Sequence, residues 1–230
     1  MADIILKDSS TGKIWVDGAG KVLKARKFSE TVLQNGLGFW GIVDRQYLTL
    51  VDGLVSEAYD IRGTGEKMIQ NTVAYRPAYT QGLGYINFPG SISMMSKTLS
   101  SSIYTSFLVA AFSTSGASNG GRMGIGQYNS TNRMGNVGGA VRCHIGNVEK
   151  PYYLNAVKKT ASAVPPNMSI VVMHSFVDGA MLSGSVNVGK LYATTVDEYL
   201  FEWGWYTRLL TEIEVIYNVN ALMKKYGLTI

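Results

Sequence analysis

Leu200-Phe201-Glu202-Trp203-Gly204-Trp205-Tyr206, then Thr207-Arg208-Leu209-Leu210, then Thr211 to Leu228, is the passage from which the fold can be read. The first part has the aromatic, alternating character of a β-strand, with Trp203 and Trp205 on one face and Tyr206 on the other. The last part is a helix. Thr211 with Glu214 three residues on forms a capping box, in which each side chain satisfies a backbone N–H that the helix start leaves open. Val215, Val219, Leu222 and Tyr226 then fall on one stripe, flanked by Ile216 and Met223, which docks on the domain. Lys224 and Lys225 oppose the negative end of the helix dipole, and Gly227 suits a left-handed stop.

Working outward, short Thr/Ser/Val/Tyr runs separated by Gly, Asn and Ser make the chain all-β. Its 230 residues include 26 Gly and only 16% charged residues. The expected strands are Tyr47–Val51, Met68–Thr72, Tyr85–Phe88, Ser106–Phe112, Met123–Gln127, Val141–Ile145, Met168–Phe176, Met181–Val188 and Leu200–Tyr206. Ser106–Phe112 and Ile170–Phe176 are the most apolar and therefore central. The Gly/Ser/Asn-rich stretches 113–121 and 128–139 read as exposed loops.

The first forty residues differ. Strands at Ile4–Asp8, Ile14–Val16 and Val22–Leu23 alternate with turns, and Lys7-Asp8 to Ile14 is echoed by Val16-Asp17 to Val22. Such a meander has too little apolar surface to stand alone. It reads as an interaction arm, residues 1–40, ahead of a main domain, residues 41–230, with simple packing on its own domain as the alternative.

The net charge of +5 is mild and its cations are scattered, which argues against nucleic acid as a partner. A single cysteine, Cys143, excludes an internal disulfide. The start Met1-Ala2-Asp3-Ile4-Ile5-Leu6 lacks the basic segment and apolar core of a secretory signal, and no apolar run approaches the roughly 20 residues of a membrane span. The expectation is synthesis in a reducing cytoplasm, without membrane insertion.

Two segments together resemble a known family. The first is Leu54-Val55-Ser56-Glu57-Ala58-Tyr59-Asp60-Ile61-Arg62-Gly63-Thr64-Gly65, with Tyr75-Arg76-Pro77-Ala78-Tyr79 and Ile86-Asn87-Phe88-Pro89-Gly90-Ser91 after it. The second is Glu202 to Thr211 running on to Tyr226-Gly227-Leu228. Their order resembles the concanavalin A-like, laminin-G-type jelly roll found in bacteriophage virion proteins and bacterial surface proteins. The resemblance covers about Gly41 to the end. It implies a jelly-roll sandwich with a short N-terminal β-hairpin arm and a C-terminal helix. Arg62 stands where the family usually has Ser, Thr64 where it has Asn and Pro89 where it has Asp. Some members hold calcium with those side chains, so no metal and no cofactor is expected here.

Catalytic chemistry finds little footing. Glycosidases need two carboxylates facing each other, about 5–5.5 Å apart for retention. Glu212 and Glu214 stand at a helix start and point to different sides, and Asp197 and Glu198 are adjacent on a strand. His144 and His174 sit inside apolar strand patterns, and Cys143 and His144 point to opposite faces. Gly120-Gly121-Arg122-Met123-Gly124-Ile125-Gly126 lacks the spacing and lysine of a phosphate loop. If a ligand face exists, Tyr128-Asn129-Ser130-Thr131-Asn132-Arg133 offers stacking and hydrogen bonds, with Tyr128, Asn129, Asn132 and Arg133 as its binding residues.

The resulting expectation is a non-enzymatic bacteriophage virion structural protein, a head fibre, decoration or tail component that contributes to host-surface or glycan attachment. It would join other virion proteins through its N-terminal arm, and a fibre-like role implies a homo-oligomer. The alternatives are a carbohydrate-binding module of a bacterial surface protein and, behind it, a glycoside hydrolase.

Overall fold

A computed structural model of the chain describes residues 4–5, 24–25, 31–80, 84–88, 93–112, 123–128, 131–137, 140–163, 169–190 and 198–229. Near the N-terminus β1 (Ile4–Ile5) pairs antiparallel with β2 (Lys24–Ala25). The strands expected at Ile14–Val16 and Val22–Leu23 lie outside the described residues. The other strands are β3 (Leu37–Ile42), β4 (Leu48–Val51), β5 (Leu54–Tyr59), β6 (Lys67–Ile69), β7 (Ala78–Thr80), β8 (Tyr85–Asn87) and β9 (Ser93–Thr98), then β10 (Thr105–Ala111), β11 (Met123–Gly126), β12 (Arg133–Val137), β13 (Ala140–Ile145) and β14 (Val148–Glu149), and finally β15 (Tyr152–Leu154), β16 (Val157–Lys159), β17 (Ala161–Ala163), β18 (Ile170–Ser175), β19 (Ser185–Lys190) and β20 (Tyr199–Tyr206). These 18 strands hydrogen-bond into one antiparallel sheet. One α-helix among the described residues, α1 (Glu212–Lys225), follows.

The sheet has two runs. In the first, β3, β20, β10, β18, β15 and β16 are neighbours in that order. In the second the order is β4, β5, β6, β9, β19, β11, β12, β13 and β17. The runs meet through β8, which pairs with both β20 and β7. Side chains from both fill one apolar cluster: Phe39, Leu108, Trp203 and Trp205 from the first, Met68, Met95, Val188 and Met134 from the second. The Trp203 indole N–H donates to the Met68 sulfur across it at 3.2 Å. The two tryptophans are core. At one end of this cluster the buried Glu198 accepts from the Met123 N–H at 3.0 Å and from the Asn136 amide at 2.7 Å.

The opposite face of the first run is covered by α1. Phe107, Val109, Val172 and Tyr206 pack there with Val215, Val219, Leu222 and Met223. Burial on both faces explains why β10 and β18 read as near-continuous apolar runs. Ile216 was expected to flank the docked stripe but is exposed, because the buried face turns toward Met223 instead. Asn218 fastens the contact. Its amide accepts from the Leu33 N–H at 2.8 Å and donates to Tyr206 and to His174 Nε2, while the Tyr206 hydroxyl donates back to the Leu33 carbonyl. His174 Nδ1 lies 3.0 Å from the Ser175 carbonyl, which can only accept, so Nδ1 carries the proton.

Both helix ends follow the sequence. Thr211 and Glu214 make the reciprocal capping box, and Glu214 also grips Arg208. Gly227 is left-handed, and the Leu228 N–H reaches the Met223 carbonyl at 2.9 Å. Thr211→Ala is expected to lower stability by about 1 kcal/mol, measured as a urea midpoint. Each buried apolar helix side chain contributes roughly 1.5–3 kcal/mol, so docking outweighs the cap and the variant keeps its helix by circular dichroism.

Two readings need correction. Residues 128–139 are not one loop, because β12 (Arg133–Val137) runs between β11 and β13. Its Gly and Asn weaken local strand signals, and the ladder comes from its neighbours. The expected strand Met181–Val188 is shifted to Ser185–Lys190, with Leu182 making a lone bridge to Ile103. β3 spans position 40, where the sequence reading divides the chain, and pairs along β20.

Candidate functional site

Following Cα partners across the second run gives one rung: Thr49, Glu57, Ile69, Ser96, Asn187, Gly126, Arg133, His144, Glu149. Directly opposed residues share a face, and their chain neighbours Met68, Met95, Val188, Ile125, Met134 and Cys143 are in the core. The rung therefore lies on the outer face. At ~4.8 Å per strand it extends roughly 24 Å from β6 to β13.

One end of this face is a groove of about 590 Å³ whose lining includes Lys67, Gln70, Asn71, Thr72, Ser96 and Ser185. Its walls are amides, hydroxyls, the Ile69 side chain and two lysines, Lys67 and Lys97. Lys67 pairs with Glu57, and this contact, reinforced by Tyr59 and Thr49, holds the Glu57 carboxyl below the usual carboxylate range. In the middle, Asn187 donates to the Ser96 hydroxyl at 2.7 Å and accepts from the Tyr128 N–H at 2.9 Å.

The other end is cationic. Arg142 donates to Glu149 at 2.6 Å, and His144 Nε2 lies 3.6 Å from the same oxygen. Arg133 is opposite His144, and Arg142 is opposite Gly135, two residues along from Arg133. Diagonal partners of that kind come within reach of long side chains. Beyond Arg142 the next rung is Gly135, Gly124 and Gly189. Gly124 and Gly135 are forced by close strand approach, since a Cβ on Gly124 would meet the Met134 carbonyl oxygen at 2.2 Å. Gly124, Gly135 and Gly189 are all buried.

Of the residues read from sequence, Tyr128 is exposed at the corner of this face, and Asn132 accepts from the Gly146 N–H at 2.7 Å. Arg133 lies on the rung itself. Asn129 lies outside the described residues. The structure adds Arg142, His144 and Glu149. The alternation Val141/Arg142/Cys143/His144 already placed Arg142 and His144 on one face, but their pairing with Arg133 is non-local.

The other chemical candidates are structural. Cys143 is buried in the core, and burial pushes its thiol up to about 12. Burial pushes the His174 imidazole down to about 4. Glu212 faces Tyr153 and Lys158, whereas Glu214 faces Arg208 and Thr211, so the two acids diverge. The rung carboxylates Glu57 and Glu149 are seven strand spacings apart, roughly 34 Å along the sheet, far outside the range of a glycosidase pair. In the Asp60 turn, the Arg62 guanidinium sits on the carboxylate and Thr64 donates to it at 3.1 Å. These residues do not fit a metal ion, because the chain supplies the cation. Among the described residues no group of three or more His, Cys, Asp or Glu side chains converges.

A second concavity, about 370 Å³, opens between Trp40, Ile42, Asp44, Tyr47, Ile61 and Lys225. Its floor is a buried ion pair, Lys225 to Glu202 at 2.7 Å. Glu202 also accepts from the Trp40 indole at 2.6 Å and from the Tyr226 hydroxyl at 2.8 Å. Oε2 thus ties the sheet to the end of α1 through Lys225 and Tyr226, while Oε1 is held by Trp40 of β3.

No protein-family model, curated protein or solved structure matches the chain. The functional reading rests on this geometry and on the sequence resemblance.

Proposed function

We propose that this chain is a non-enzymatic bacteriophage virion protein, built as a concanavalin A-like jelly-roll sandwich, that attaches to a host-surface glycan across the outer face of its second strand run. The two-run sheet closing on one apolar cluster supports the jelly-roll part of this reading. The single observation that carries the attachment part is the outer rung, mostly polar and charged side chains interrupted by Ile69 and Gly126, with a groove at one end and its carboxylates far apart. Such a face suits an extended polymer lying across strands. Grip without bond cleavage follows from the separation of the acids. Residues 1–40 would join the protein to other virion components, and many copies on one particle would turn weak single contacts into firm attachment.

The full chain, incubated with a panel of bacterial surface polysaccharides, is expected to retain at least one and to release no new reducing ends. Depolymerisation would replace this reading with a glycosidase or lyase. Absence of retention across hosts would remove the attachment role.

A further inference from the structure

Three buried polar side chains gather at one end of the inner cluster. Lys190, Asn136 and Glu198 are 1%, 1% and 0% exposed. Strand register accounts for the gathering. Lys190 is opposite Met123, and one residue beyond the Gly124–Gly135 pair Met123 stands opposite Asn136. Lys190 lies two residues after Val188 and Asn136 two after Met134, so both share the face of those core residues. β11 alone separates them, a Cα spacing of roughly 10 Å that a four-carbon lysine stem and an asparagine can bridge. Glu198, two residues before the core residue Leu200, enters from the first run and holds the Asn136 amide at 2.7 Å. Lys190 is near enough for its charge to act on that carboxyl.

An ammonium and a carboxylate are costly to bury, and one proton moved from Lys190 to Glu198 leaves a neutral amine and a neutral acid. Burial pushes the Glu198 carboxyl up to about 8, in keeping with the acid form. Its proton needs an acceptor. Asn136 Oδ1 is buried and makes no hydrogen bond with any described residue. Turning the amide over keeps its shape and brings Oδ1 to the Glu198 oxygen, which supplies that bond. An amide polarised in this way has an electrophilic carbon.

We propose that Lys190 and Asn136 join in an intramolecular isopeptide bond, with Glu198 as its acid–base catalyst. The Lys190 amine adds to Asn136 Cγ, while Glu198 gives its proton to Oδ1 and takes one from Nζ. Glu198 then protonates Nδ2, the Cγ–Nδ2 bond breaks and ammonia leaves, and Oδ1 returns its proton to Glu198. An amine and a primary amide have become a secondary amide and ammonia, with Glu198 regenerated and no outside reagent consumed. Burial serves this reaction, because all the reacting groups belong to the chain. The bond ties β12 to β19 across β11 in a protein whose one cysteine excludes a disulfide. It removes the Lys190 charge and leaves Glu198 a neutral acid, so the sign of the Glu198 proton linkage is unchanged. None of this depends on the attachment reading.

The test is the mass of the purified full chain. Folded wild type is expected to be one ammonia lighter than its sequence, after allowance for any removal of Met1. Trypsin should then release a branched peptide, residues 134–142 joined through Asn136 to residues 160–208 through an uncleaved Lys190. The branch is the decisive signature, because Asn35-Gly36 and Asn119-Gly120 also lose ammonia when they close to succinimides, but their peptides stay linear. Lys190→Arg keeps a buried cation and removes the amine, and Glu198→Gln keeps a hydrogen bond to the amide and removes the proton relay. Both variants are expected at full sequence mass with no branched peptide, and circular dichroism reads whether they keep their strands. The wild-type result stands whether or not the variants fold. Folded wild type at full sequence mass, or a lighter chain whose peptides are all linear, would overturn the bond. A branched peptide that forms as completely in Glu198→Gln would strike out the catalytic part of the proposal.

Discussion

Replacing Lys225 with methionine is expected to destabilise the protein by about 3–5 kcal/mol, because it strands a buried carboxylate. The side chains of Lys225 and Glu202 are 4% and 0% exposed, so solvent cannot take over the lost partner. The Trp40 indole and Tyr226 hydroxyl would still donate to Glu202, but neither neutralises it. Adding Glu202→Gln to Lys225→Met removes the stranded charge and keeps an acceptor, so the double variant should recover at least half of the loss. Urea unfolding of the wild type and the three variants measures this directly. A Lys225→Met protein within 1 kcal/mol of wild type, on the order of an exposed pair's worth, would show that the pair is not buried as described.

Stability is also expected to fall as pH rises from about 6.5 to about 8. Burial pushes the Glu198 carboxyl up to about 8, against the opposing pull of the Asn136 amide, the Lys190 charge and the Met123 N–H. The folded state therefore keeps a proton that the unfolded chain releases near the ordinary value of 4.5, and stability declines across that window. His174 acts in the opposite sense. Burial lowers it to about 4 from 6.5, so the unfolded chain takes up a proton first and stability falls as pH drops through that range. Below about 6.5 the two slopes oppose each other; above it the Glu198 slope remains. A slope of up to about 1.4 kcal/mol per pH unit, near 2 kcal/mol across the interval, follows. Glu198→Gln should flatten it. An unchanged slope in that variant would assign the effect to another group.

What could be read from the chain, and what could not, divides along physical lines. β10, β18 and β20 announce themselves because each is long and apolar or aromatic, and α1 carries a cap, a stripe and a stop within its own residues. β5, β9 and β12 do not. Their signals are diluted by Ser, Gly and Asn, and their strand state is imposed by neighbours distant in sequence, as when Ser96 pairs with Asn187. The same limit applies to the site. Arg133 and Tyr128 stand out as polar and aromatic residues in a small-residue stretch. That Arg133 faces His144, and that Glu149 turns back onto Arg142, is a matter of register and not of composition. The bulge in β20 was equally hidden. Val109 pairs with Glu202 and Ala110 with Leu200, so Phe201 is an extra residue that re-phases the strand. Glu202 consequently reaches the helix side while Glu198 reaches the inner cluster.

The corner at Asp60 has one more implication. Its negative group is answered by an arginine two positions further along the same chain, so both halves of the pair leave the ribosome together. A protein that, on the reading proposed here, travels outside the cell on a particle would carry this corner ready-made into hard or soft water alike, with nothing to scavenge from its surroundings and nothing for a chelator to strip away.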